Sequence, residues 1–152
     1  MKMHKVIGSG LALAVVTFAC GNALADNCNG NWTNTAMSGD TIDLGDGHTL
    51  TTFFSRGSVS SANSPLNAVG ACGGYVLTTP DGKSRIGYAC ARKDKNGDSY
   101  SDAGGMEPGA DHGTWTKTGG TGVFAGGNWS GTWQAVTTDG SVTLGTFTGN
   151  CR

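Results

Sequence analysis

The chain has 152 residues, with 10 Lys and Arg against 11 Asp and Glu and a formal net charge of −1. No basic run exists, because Arg92-Lys93-x-Lys95 sits beside Asp94 and Asp98, so the electrostatic footprint of a nucleic-acid binder is missing and a solvated mixed-charge surface is expected. Glycine is the outstanding count at 27, and it is disorder-tolerant, but four Trp and three Tyr argue for a packed domain.

Met1 to Ala25 reads as an export signal. Lys2 and Lys5 open it, Val6 to Ala19 is a short apolar run, and Ala23-Leu24-Ala25 is a small-residue cleavage site before Asp26. The run is too short, and too interrupted by Gly8, Ser9 and Gly10, for a transmembrane anchor. The alternative is a lipoprotein cut before Cys20, where Val16-Thr17-Phe18-Ala19 has Thr in place of the usual Leu. Cleavage after Ala25 leaves residues 26–152, 127 of the 152, as one domain of ordinary size. Those residues carry 8 basic and 11 acidic groups and lose Cys20. Cys28, Cys72, Cys90 and Cys151 remain, an even number in a compartment where disulfides persist, periplasmic or extracellular.

No stripe of helical period follows residue 25. Short runs rich in Thr, Val, Trp, Phe and Tyr, separated by Asp-Gly and Asn-Gly, predict strands. Asn31 to Met37, Thr41 to Leu44 and His48 to Arg56 come first, with a turn at Gly45-Asp46-Gly47 and a surface loop over Gly57 to Gly70. Ala71 to Arg92 is a hairpin about Thr79-Pro80-Asp81-Gly82-Lys83, a three-residue loop closed by glycine. That register sets Cys72 opposite Cys90, Tyr75 opposite Gly87 and Tyr88 opposite Gly74. Asn96-Gly97 folds Ser99 to Asp102 back on Tyr88 to Lys95. Gly113 to Thr118 is a further strand. Thr138-Asp139-Gly140 turns Asn128 to Thr137 onto Ser141 to Gly149. The same loop type there predicts Trp133 opposite Gly145, Trp129 opposite Gly149 and Phe147 opposite Gly131.

Rings opposite glycines cover bare backbone and let strands coil tightly, which favours an antiparallel barrel of about eight strands over a sandwich. If Cys72 pairs with Cys90, then Cys28 pairs with Cys151 and ties the chain ends together. Four cysteines allow three connectivities, so the alternatives stay open.

Motifs for chemistry are sparse. Asp94-x-Asn96-Gly97-Asp98 resembles the front of a calcium loop, but Ser99 and Gly105 occupy the positions that need Gly and Glu, so a hairpin turn is expected. Gly120-x-Gly122-x-x-Ala125 lacks the strand and helix of a dinucleotide site. Glu107, Asp111 and His112 form the one tight titratable cluster, with His48 a candidate neighbour in space. Wide cysteine spacing fits staples and not zinc, and no metal or cofactor is expected. Asn31-Trp32-Thr33 and Asn128-Trp129-Ser130 are glycosylation sequons, expected to be unused behind a bacterial leader.

Gly119-Gly120-Thr121-Gly122-Val123-Phe124-Ala125-Gly126, followed by Ser130-Gly131-Thr132-Trp133, resembles the secreted and bacterial members of the allene oxide cyclase-like barrels, the group that includes the dirigent proteins. The likeness covers residues 113 to 147. Gly30-x-Trp32 is similar to the opening of lipocalin-type barrels. Both resemblances imply a calycin-type barrel of eight antiparallel strands. The group includes cyclases and proteins that orient reactive intermediates in an apolar cavity. No catalytic residue carries over position by position, and the cysteine pattern departs from those enzymes.

The expectation is an exported, non-catalytic barrel that binds a small apolar or aromatic ligand through Tyr88, Trp115, Trp129 and Trp133, with Trp32 a further candidate to line the cavity, or serves an envelope role. One alternative is a cyclase or isomerase that uses the cavity as a template, which predicts polar titratable groups, such as His48, His112 or Glu107, pointing into the barrel. The other is a secreted interaction or inhibitor module, with an exposed apolar patch or a projecting loop over Asp102 to His112.

Overall fold

The structure is a computed structural model that describes residues 27–151; the segment read as an export signal, with Cys20, lies outside the described residues. Eight strands follow in chain order: β1 (Asn27–Gly45), β2 (His48–Ser61), β3 (Ala68–Thr78), β4 (Ser84–Asp94), β5 (Ser99–Met106), β6 (Gly113–Gly120), β7 (Ser130–Asp139) and β8 (Val142–Asn150). Each pairs antiparallel with the next, and β1 pairs with β8, so the sheet closes into a barrel and no sandwich forms. Among the described residues no helix is long and apolar enough to cross a membrane.

The turns follow from their residues. Gly82 adopts φ 78° in the β3–β4 loop, and the Thr79 and Gly82 amides donate to Lys83 O and Thr79 O, both at 2.9 Å. The predicted register holds along this hairpin, with Cys72 opposite Cys90 and Tyr75 opposite Gly87. At Asn96-Gly97 the Asp94 carboxylate accepts from the Asn96 and Asp98 amides at 2.8 and 2.9 Å, which closes the β4–β5 turn as expected.

Three local expectations are corrected. The two short strands before residue 45 are one strand of 19 residues, because Met37 is accommodated as a bulge and the backbone stays extended through Gly39. The surface loop shrinks to residues 62–67, because Gly57 keeps its pairing with Asn34 and Gly70. The C-terminal hairpin has a different register. Asp139 pairs with Val142 around a two-residue loop in which Gly140 takes φ 56°, and Val136 bulges out. Trp133 therefore faces Phe147, Gly131 faces Gly149, and Gly145 faces Ala135.

Rings still cover glycines, but largely across other seams of the barrel. Trp32 on β1 pairs with Gly145 on β8, and Phe147 on β8 pairs with Gly30 on β1. Trp115 pairs with Gly131, and Trp133 with Gly113. Phe53 pairs with Gly74 on β3. A Cβ built on Gly30 would lie 2.7 Å from Phe147 Cε1, one on Gly149 2.7 Å from Trp115 Cζ2, and one on Gly74 2.7 Å from Phe53 Cζ.

The two ends of the barrel differ. One end holds the two ends of the described residues, the 62–67 loop and the β6–β7 connection, whose Gly122–Phe124 segment forms a single 3-10 turn. Leu66 (2% exposed), Phe124 (0%), Trp129 and Tyr100 pack there with the Cys28–Cys151 bridge. Lys117 secures this plug: its Nζ donates to Phe124 O at 2.7 Å and to Gly126 O, and lies 4.6 Å from the Trp129 ring centroid. The other end carries the β1–β2, β3–β4 and β7–β8 hairpins and has no such plug.

Two outcomes are expected. Gly74→Ala, which drives a methyl into the Phe53 ring and the facing backbone, lowers unfolding free energy by about 1–3 kcal/mol, whereas Gly73→Ala, one residue along, is near neutral by urea melts. Replacing Cys28 and Cys151 by Ala, a separation of 123 residues, costs more than replacing Cys72 and Cys90, a separation of 18. The chain-entropy values are about 5 and about 3 kcal/mol, measured the same way.

Candidate functional site

Alternation along each strand sends one residue in two into the barrel. With one end plugged and small residues at many inward positions, the rings do not fill the interior. A cavity of about 420 Å³ remains, running from Leu66 and Tyr100 at the plugged end to Val76, Ile86 and Ser141 near the other. Its wall is mainly apolar and aromatic, and its size lies in the range of small-molecule sites.

Five rings define its middle. Trp32 meets Trp133 edge-on at 5.9 Å between centroids, Tyr88 meets Trp133 at 6.0 Å, and Trp115 meets Phe147 at 6.1 Å. The indole N–H groups turn to the wall: Trp32 Nε1 donates to Thr146 O at 3.2 Å, Trp115 Nε1 to Thr148 O at 3.3 Å, and Trp133 Nε1 to Thr114 O at 3.1 Å. Their ring faces and edges are left for an occupant.

Of the four residues expected to hold a ligand, Tyr88, Trp115 and Trp133 line this cavity. Trp129 does not. It precedes β7, and its ring packs on Phe124 at 5.8 Å as part of the plug. The sequence placed it on a strand, where alternation with Trp133 would have turned it inward; the chain becomes strand only at Ser130. Trp32, the further ring that the sequence offered for the cavity, lines it; Phe147 lines it too and was not assigned to it.

The sequence reading also missed a buried ion pair. Arg92 Nε donates to Asp102 Oδ1 at 3.1 Å, with both side chains more than nine-tenths buried. Arg92 Nη2 reaches over the inward-facing Cys72–Cys90 bridge, 3.2 Å from Cys90 Sγ and 3.5 Å from Cys72 Sγ. The signal was present. Cys90 must face in with Cys72, Arg92 lies two residues on, and the Asn96-Gly97 turn sets Asp102 opposite Cys90. Asp102 to Met106 therefore belongs to β5, and the projecting loop is only 107–112.

Burial pushes the Asp102 carboxyl up from its ordinary value, and the Arg92 charge and hydrogen bond pull part of that shift back. Burial likewise raises the Tyr88 and Tyr100 phenols, with Asp102 adding to the rise and Arg92 opposing it, so both stay neutral hydrogen-bonding groups. The titratable cluster singled out by spacing is elsewhere. Glu107 pairs with Arg85 at 2.7 Å on the surface, and His112 pairs with the exposed Asp111. Neither Glu107, His112 nor His48 lines the cavity. Among the described residues no group of three His, Cys, Asp or Glu side chains could hold a metal ion.

The raised Asp102 value has a thermodynamic consequence. The folded state binds this proton more readily than the unfolded chain does, so the contribution of Asp102 to stability is fully present below the unfolded value of 3.8 and is lost as pH rises through the folded one. Asp102→Asn lowers stability throughout, because it removes the counter-charge of Arg92. Paired urea melts from about pH 7 to about pH 4 should show the wild type gaining on the variant as pH falls; a constant gap would contradict the shift.

No protein-family model matches this chain, and no curated protein matches it.

Proposed function

We propose that this protein is an exported, non-catalytic binding barrel that encloses a small, mainly apolar, ring-bearing molecule. The observation that carries the reading is the cavity of about 420 Å³ inside a closed barrel, plugged at one end and walled by Trp32, Tyr88, Trp115 and Trp133. Flat rings held by their neighbours present apolar area at little entropic cost, and a preformed cavity spares the protein from rearranging around its occupant. The two disulfides and the export signal support a site of action outside the reducing cytoplasm, in the periplasm or beyond the cell. We place the protein with the allene oxide cyclase-like barrels on the strength of residues 113–147, as part of the same proposal. The enzyme alternative looked to His48, His112 or Glu107, none of which lines the cavity; the titratable groups that do, Arg92, Asp102, Tyr88 and Tyr100, are read here as binding groups.

The test uses N-phenyl-1-naphthylamine, a neutral fluorescent probe that fits the cavity. The oxidised protein should bind it with saturable enhancement of probe emission and quenching of tryptophan, with Kd in the range of about 1–100 μM. Ala135→Trp, which adds a ring to the cavity wall beside Trp133, should weaken binding by about tenfold or more with little change in melting temperature. Probe binding that is absent, or that Ala135→Trp leaves unchanged, rejects the cavity as the site.

A further inference from the structure

Apolar sites select their occupants through a few polar groups, and this cavity has such a set gathered in one place. Ladder neighbours across β1 to β5 run Asn34, Gly57, Gly70, Arg92, Tyr100. The adjoining row runs Ala36, Ser55, Cys72, Cys90, Asp102. Among the described residues, three polar atoms on these rows are buried without a hydrogen-bond partner: Arg92 Nη1, Ser55 Oγ and Asn34 Oδ1. Arg92 is only 7% exposed and Ser55 5%, and both line the cavity. Buried donors are almost always satisfied in folded proteins, so two on one wall ask for an acceptor.

The charge of that acceptor follows from Asp102. The Arg92 guanidinium is already neutralised by the Asp102 carboxylate at 3.1 Å. An anionic ligand would leave one uncompensated negative charge in a buried site, which is costly. An uncharged oxygen completes Arg92 without that cost. Ser55 is within reach of the same oxygen, because it pairs with Cys72, and the guanidinium extends over the Cys72 sulfur at 3.5 Å.

We infer that the cavity, read as a binding site as above, selects an uncharged ring compound carrying a carbonyl oxygen, which accepts hydrogen bonds from Arg92 Nη1 and Ser55 Oγ. The ring lies against Tyr88 and Trp133, above the disulfide. Asp102 acts as a positioning residue: it fixes the guanidinium through Nε and leaves Nη1 free.

Three probes of one shape test this by displacing N-phenyl-1-naphthylamine: 2-acetylnaphthalene, 2-isopropylnaphthalene and 2-naphthoate. The ketone should bind about tenfold or more tightly than either the hydrocarbon or the carboxylate, because a site built to hydrogen-bond rejects the analogue that lacks the acceptor. Its carbonyl stretch should move to lower frequency on binding than in hexane, a readout that a purely structural Arg92 would not produce. Ser55→Ala should reduce the preference. The double variant Arg92→Leu with Asp102→Leu, which removes the pair together and leaves no buried orphan charge, should abolish it while still binding the hydrocarbon. Equal binding of ketone and hydrocarbon by the wild type overturns the inference and leaves the cavity reading intact. Tightest binding by 2-naphthoate overturns it in favour of an anionic ligand. Failure of N-phenyl-1-naphthylamine itself to bind removes the cavity reading, and this inference with it.

Discussion

The structure depends on a ring lying over a glycine on the neighbouring strand. Inward positions along a small barrel are crowded, because eight strands must coil around a narrow axis. An aromatic side chain fits there only if the residue beside it has no Cβ. Trp32 over Gly145, Phe147 over Gly30, Trp115 over Gly131, Trp133 over Gly113 and Phe53 over Gly74 meet this condition on three seams, β1–β8, β6–β7 and β2–β3. The pairs lock register as well, since a slip of one residue would turn each ring outward and set a side chain against it. Glycine, weak in isolated strands, is here the residue that lets the wall curve and the rings lie flat.

That arrangement fixes where the interior is full and where it is empty. Phe124, Leu66 and Trp129 are not on ladder positions opposite glycines; they enter from loops and pack as a plug, held by Lys117 and by the bridge between the chain ends. Above the plug the rings stand against the wall and leave the centre open. The barrel is consequently a cup. The features that make it stable, closure and ring-on-glycine packing, are also those that leave room for a guest.

The polar floor belongs to the same geometry. A cross-strand disulfide between Cys72 and Cys90 points inward and occupies little space, so the long Arg92 side chain can lie across it to Asp102. Replacing this pair by apolar residues of similar volume is often neutral or stabilising in proteins. Its presence in an otherwise apolar cup is therefore a weak source of stability, which is what the proposed role in selecting an occupant rests on. The tyrosines beside it, kept neutral by burial, extend the hydrogen-bonding surface without adding charge.

By itself the sequence determined the all-β class and about eight strands, and it favoured, among three connectivities, the disulfide pairing that the structure shows. The β3–β4 hairpin was legible down to its register, because Pro80-Asp81-Gly82 specifies one loop and Cys72 and Cys90 then fall opposite. The C-terminal hairpin was not. Its rings were matched to glycines within the same two strands, when Trp133 lies beside Gly113 on β6 and Phe147 beside Gly30 on β1, the latter brought close only by closure. The bulges at Met37 and Val136 were equally hidden, since one extra residue leaves no mark in a local pattern. The site divides in the same way. Tyr88, Trp115 and Trp133 could be read from alternation along their strands. Trp129 in the plug, the empty centre of the barrel and the meeting of Arg92 with Asp102 were decided by the tertiary structure, because they depend on which strands become neighbours and on what volume the loops fill.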